Sequence, residues 1–141
     1  MDITNTQNWV KAAAAIVIGV GLLLAAAAWP PLALPVALLA DIIVWPLDGV
    51  QTLASPETRV FSAISGGVMV GWGVTLWKVA EHVLPVDPAV ARSIVLTGIY
   101  SWFAVDSIGS IAAGAPLNAV LNIGFVVLFV WALRSPRRIA A

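Results

Sequence analysis

Residues 102–125 read WFAVDSIGSIAAGAPLNAVLNIGF. One aspartate, two serines and two asparagines stand in this stretch among residues that are mostly Ala, Val, Leu and Ile. The Gly-Ala-Pro near its middle is a helix stop followed by a helix start. The stretch therefore predicts two apolar helices joined by a link of about three residues, which forces them into an antiparallel hairpin.

The composition indicates that the hairpin belongs to a membrane protein. The chain has 141 residues, of which 61% are hydrophobic and only 10% are charged, whereas soluble domains carry roughly a quarter charged residues. Its net charge is zero, which argues against nucleic-acid binding. It has no cysteine, so disulfides and thiolate chemistry are excluded.

We predict an all-α fold, an integral membrane bundle of four transmembrane helices that forms a single domain over residues 1–141. Ser55 is placed to cap the second span, and Asp87 begins the third. A cleaved signal peptide is the alternative for the first span, but Asp2 offsets Lys11 and a retained helix is expected. The spans are predicted at about residues 9–28, 58–84, 89–113 and 117–133.

Between the first two spans, residues 32–53 are expected to form a short interfacial or re-entrant helix on the outer side. The apolar run there is too short to span, and Asp41 interrupts it. Asp41 and Asp48 lie near one helical face and form a predicted outer acidic face. They are interpreted either as solvent-facing acids on a surface helix or as the cap of a vestibule above Asp106.

The Lys and Arg residues predict the orientation, because cytoplasmic loops are enriched in them. With four spans, six basic residues lie on one side of the membrane and Arg59 alone lies outside. If residues 36–53 also crossed, five basic residues would lie on one side and two on the other, which is a weaker asymmetry. We expect a multi-pass membrane protein with both termini cytoplasmic. The basic residues on the predicted inner side are Lys11, Lys78, Arg92, Arg134, Arg137 and Arg138.

The polar residues of the hairpin are predicted to meet. Counted outward from Ala115, four of them alternate between the two helices with depth, over roughly 10 Å at 1.5 Å per residue: Asn118, Ser110, Asn122 and Asp106. They are interpreted either as hydrogen bonds that hold the helices together or as an outward-facing pocket with Asp106 as a cation or proton site. The predicted cluster comprises Asp106, Ser107, Ser110, Asn118 and Asn122.

The second span carries small residues for helix packing. Gly67 and Gly71 form a small-xxx-small pair, which permits close approach either within the bundle or across a dimer interface. Trp72 and Trp102 fall deep within their spans and are expected to pack inside the bundle.

Few residues are placed for catalysis or metal binding. Arg59 is interpreted as the partner of a surface acid, or alternatively as the counter-ion of Asp106. Lys78, beside Glu81 and His82, is expected to snorkel to the interface. With one histidine and no cysteine we expect no metal site and no cofactor. No acid, base and nucleophile are gathered, so an enzyme is not expected.

The segment WFAVDSIGSIAAGAPLNAVLNIGF, with WPLDG and GGVMVGWG upstream, resembles a family of small four-span bacterial inner-membrane proteins known chiefly as uncharacterised. The resemblance covers about two thirds of the chain and implies a four-span protein of the bacterial inner membrane, but no activity.

Two functions are expected from these observations. The first is a non-enzymatic interaction, accessory or assembly subunit of a membrane complex, with the bilayer and other subunits or further copies of the chain as partners. The alternative is a small oligomeric ligand-binding or transport protein that uses the polar cluster around Asp106.

Overall fold

The computed structural model describes residues 2–134, and this part of the chain is all-helical with no strand. The predicted all-α class is confirmed. A 3-10 turn at Pro30–Leu32 and a π-helical turn at Val79–Val83 accompany the α-helices. Arg137 and Arg138, which enter the predicted orientation, lie outside the described residues. The α-helices are α1 (Ile3–Ala26), α2 (Leu34–Val44), α3 (Pro56–Lys78), α4 (Pro88–Ala112) and α5 (Pro116–Ala132).

Within residues 2–134, three helices are long and apolar enough to cross a membrane. They are Ile3–Ala26, Pro56–Val83, which includes the π-helical turn, and Pro88–Ala112. Helix α5 has 17 residues and α2 has 11. At 1.5 Å per residue α2 is about 17 Å long, well short of the ~30 Å hydrocarbon core.

Three of the helices begin at a side-chain cap. Asp2, Ser55 and Asp87 each accept a hydrogen bond from a backbone N–H two or three residues further on, at 2.7, 3.2 and 3.0 Å respectively. Such caps satisfy N–H groups that have no partner inside the helix. The predicted starts at Ser55 and Asp87 are confirmed, whereas α1 begins six residues earlier than expected because Asp2 caps it.

Helices α1 and α3 form one closely packed pair. A β-carbon at Gly66 would lie 2.5 Å from the carbonyl oxygen of Gly21, and one at Gly73 would lie 2.6 Å from the Ile18 side chain. The Ser62 hydroxyl donates across the same contact to the Leu24 carbonyl at 2.7 Å. The absence of side chains at these glycines therefore lets the two backbones touch.

Helices α4 and α5 form the second pair, and the two pairs share a hydrophobic core at one end of the bundle. The core lies where α1 and α4 begin and where α3 and α5 end. Trp9 packs edge-on against Trp131 at this end, with 4.6 Å between ring centroids. Burial of these side chains holds the four ends together. The fully buried core side chains of largest volume are Phe129, Ile99, Val10, Val17 and Val95.

Candidate functional site: a polar cluster in the α4–α5 hairpin

The turn between α4 and α5 has the predicted geometry. Gly114 adopts a φ of +80°, a conformation that glycine reaches without steric cost, and Pro116 begins α5. The Ala115 N–H donates back to the Ser110 carbonyl at 2.8 Å and closes the end of α4. The short turn sends α5 back along α4, so residues at equal distance from the turn lie at equal depth.

The polar side chains of the hairpin meet as expected. The Asn118 amide donates to Asp106 Oδ2 at 2.9 Å and to Ser110 Oγ at 2.8 Å, and the Asn122 amide donates to the same Asp106 oxygen. Asn122 is only 5% exposed. The predicted hydrogen bonds between the two helices are therefore confirmed, and Asp106 is their shared acceptor.

Ser107, the fifth residue of the predicted polar cluster, does not take part in these hydrogen bonds. It is 7% exposed, and its hydroxyl has no hydrogen-bond partner among the described residues. In an α-helix consecutive side chains point about 100° apart, so Ser107 leaves the face that Asp106 and Ser110 share. A buried hydroxyl without a hydrogen-bond partner is energetically unfavourable. Ser107 is therefore a second polar feature, beside the hydrogen-bonded cluster.

An aromatic layer lies one helical turn below the cluster. Trp102 packs against Trp72 of α3 and Phe125 of α5, with ring centroids 5.7 and 5.9 Å apart. The expectation that both tryptophans pack inside the bundle is confirmed. Because Trp102 precedes Asp106 by four residues, this layer separates the polar cluster from the core at the opposite end.

The predicted outer acidic face takes a different form. Asp41 is 5% exposed, and its two oxygens accept the Gly49 N–H at 3.1 and 3.2 Å. With its nitrogen turned toward the acids, the Gln51 amide donates to both Asp41 and Asp48. Asp48 is exposed and accepts the Val50 N–H. The interpretation of Asp41 as a solvent-facing acid is wrong, because it ties the loop after α2 in place.

An open cleft of about 540 Å³ lies between the end of α2 and the hairpin turn. Its described lining contains neither Asp41 nor Asp48, so these acids do not cap it. The cleft reaches Leu117, the residue before Asn118 in the chain, but its lining residues are apolar. The lining residues are Ile43, Val44, Trp45, Gly114, Pro116 and Leu117.

Gly67 and Gly71 do not pack within the bundle. A β-carbon at either position would meet no other described atom within 4 Å. The glycines that contact α1 are Gly66 and Gly73 instead. The prediction of packing inside the bundle is wrong for this pair, because α3 turns the neighbouring glycine face toward α1. The alternative, an interface with another chain, stays a prediction.

The opposite end of the bundle gathers charges around Glu81. Its carboxylate lies 2.7 Å from Lys78 Nζ, 3.6 Å from Lys11 Nζ and 3.4 Å from His82 Nε2. Sequence analysis placed Lys78 beside Glu81 and His82 but did not identify Lys11 as a partner of Glu81. The π-helical turn brings these groups together, and Gln7 of α1 donates to the turn's Ala80 carbonyl at 2.9 Å.

Two further arginines, Arg92 and Arg59, differ in their contacts. The Arg92 guanidinium donates to the Leu133 carbonyl and closes the end of α5. Arg59 forms no ion pair with any residue from 2 to 134, so neither predicted partner binds it. The described residues contain no group of three or more His, Asp or Glu side chains arranged to hold a metal ion.

Comparisons with known proteins do not extend this description. The chain matches no protein-family model, no curated protein and no solved structure. The resemblance to small four-span bacterial inner-membrane proteins therefore stays a prediction.

Proposed function

We propose that the chain is a small non-enzymatic membrane protein that acts as an interaction, accessory or assembly subunit of a complex in the bacterial inner membrane. Its polar side chains within the helices support this, because the amides of Asn118 and Asn122 and the hydroxyl of Ser110 are used in bonds that hold α4 against α5. The arrangement provides helix cohesion and leaves no paired acid and base beside a nucleophile.

The open glycine face of α3 is the observation that carries this proposal. Gly66 and Gly73 pack against α1, whereas Gly67 and Gly71 form a flat strip on α3 with no described neighbour. Thr75 is exposed one turn further on, and its hydroxyl is bonded to the Gly71 carbonyl at 3.0 Å. Lipid chains do not require a strip without side chains, whereas a second helix uses one for close backbone approach. The partner is a helix of another subunit or of a second copy.

Replacing Gly71 with leucine is expected to abolish the association with the partner while the chain still folds, because the new side chain enters open space in the monomer but blocks a second backbone. The measurement is what copurifies after gentle solubilisation, by light scattering and cross-linking. Gly109→Leu is the matched control, since Gly109 on α4 is equally open. Unchanged association in Gly71→Leu would remove this face from the proposal.

We also propose four spans, with α5 as the fourth, both termini cytoplasmic and residues 32–53 outside. The 17 residues of α5 are at the lower limit of a span. The hairpin supports a return across the membrane, because α5 runs antiparallel to α4, which is long enough to span. The excess of Lys and Arg at one end supports the orientation.

Labelling from each side of the membrane tests the span count. Single cysteines at Ala54 and Ala140, the latter beyond the described residues, are expected to react from opposite sides, outside and cytoplasmic respectively. The chain contains no native cysteine, so the signal is unambiguous. Reaction of both from one side would overturn the four-span arrangement. A chemically blocked sample provides the control for leakage.

A second function, ligand binding or transport by an oligomer, is favoured by one observation. Beside the bonded cluster the Ser107 hydroxyl is buried without a partner, and Asp106 Oδ1 accepts no hydrogen bond from the described residues. Polar atoms of this kind suit a cation or a proton within a membrane. Four short helices enclose no pathway alone, so this function requires several copies.

A further inference from the structure

The charged end of α3 has more positive groups than its single acid neutralises. Lys11, Lys78 and His82 all face Glu81, and the two lysines alone exceed its one negative charge. The Lys78 and His82 side chains are 61% and 66% exposed, while that of Lys11 is 23% exposed. The excess charge is therefore presented outward by Lys78, with the exposed His82 imidazole beside it.

Glu81 positions these groups without using all their donors. Lys78 Nζ and His82 Nε2 both lie beside the same oxygen, Oε2, so the ammonium and the imidazole are neighbours. An ammonium has three N–H donors, and Glu81 accepts one of them from Lys78. The remaining donors are free for an anion whose oxygens bridge the lysine and the histidine.

The position along the helix indicates where such an anion comes from. Lys78 ends α3, one of the three helices able to span a membrane, and Trp77 lies beside it under the Lys11 ammonium at 5.4 Å. Trp9 and Trp131 pack edge-to-face at the same end. Tryptophans and cations at the end of a span mark the level of the lipid headgroups. Exposed Val74, one turn into the span, would border the acyl chains.

We propose that Lys78 and His82, held by Glu81, form a binding site for the phosphate of an anionic phospholipid. The site lies on the leaflet at which α3 ends and α1 begins. Glu81 orients Lys78 and also links it to α1 through Lys11, so bound lipid would stabilise the contact between the two helices. This inference is independent of the partner face and of the span count.

Detergent-solubilised full-length protein tests the site, with thermal stability followed during titration with phosphatidylglycerol or phosphatidylcholine. Wild type is expected to be stabilised by phosphatidylglycerol alone. Lys78→Gln should weaken this response about five-fold, the factor expected for one cation near an anionic surface, and Lys78→Gln with His82→Gln should weaken it further. Equal stabilisation by both lipids would overturn the proposal.

Two further measurements test whether the stabilisation by phosphatidylglycerol arises at this site and whether it requires a lipid. Arg59→Gln, at the other end of α3 and without an ion pair among the described residues, should respond to phosphatidylglycerol as wild type does; a matching loss there would show non-specific charge attraction and overturn the site. Inorganic phosphate at equal concentration should neither stabilise the protein nor displace the lipid. Saturable protection by phosphate that disappears in Lys78→Gln would overturn the assignment to a lipid.

Discussion

Gly66→Ala is expected to push α1 away from α3 and to lower the free energy of unfolding by about 2 kcal/mol or more, the range for overpacking a tight contact. The added carbon would lie 2.5 Å from the Gly21 carbonyl oxygen and would also clash with the Ala25 backbone nitrogen. Backbone atoms cannot rotate aside, so the helices themselves must move. The measurement is unfolding in detergent, followed by circular dichroism and denaturant titration.

Gly67→Ala is the matched control, one residue along the same helix. Its new carbon meets no described atom within 4 Å. Alanine favours a helix over glycine by up to about 1 kcal/mol, so Gly67→Ala should be neutral or stabilising in the monomer. The opposite order, with Gly67→Ala the more harmful in a monomeric preparation, would contradict the helix contact described above.

Asn122→Leu is expected to lower the free energy of unfolding by about 2 kcal/mol, because it removes a buried donor from Asp106. Hydrogen bonds between membrane helices average only about 0.6 kcal/mol. A bond to a charged acceptor is worth about 1.5–3 kcal/mol, and Asp106 keeps only the Asn118 donor after the change. The expected loss of about 2 kcal/mol follows from an ionised Asp106 and is measured by unfolding in detergent.

The control for this prediction removes the charge instead of the donor. Asp106→Asn keeps a side chain of the same shape, so stability should stay equal or rise. In that background Asn122→Leu should cost only the ~0.6 kcal/mol of a neutral bond. An equal cost in both backgrounds would contradict a charged acceptor. A stable Asp106→Asn protein that fails to complement a deletion strain would favour the ligand-binding or transport function over helix cohesion.

Local features were predictable because they depend on residues close together in the chain. The starts of α3 and α4 follow from Ser55 and Asp87, whose side chains satisfy N–H groups two or three residues away. The hydrogen bonds of Asp106 were predictable for a related reason. A three-residue turn and a constant rise per residue place Asn118 and Asn122 opposite it.

The sequence by itself determined the helical class and the hairpin with its bonded polar residues, because short connections leave no freedom in register. Only the tertiary structure decided which face of α3 meets α1. Gly66 and Gly67 are adjacent and equally small, and the rotation of α3 depends on contacts with residues such as Gly21, far away in the chain. The tertiary structure likewise folded the loop after α2 onto Asp41, and it brought Lys11 of α1 to Glu81. No local pattern encodes those contacts, since each depends on how separate segments pack together.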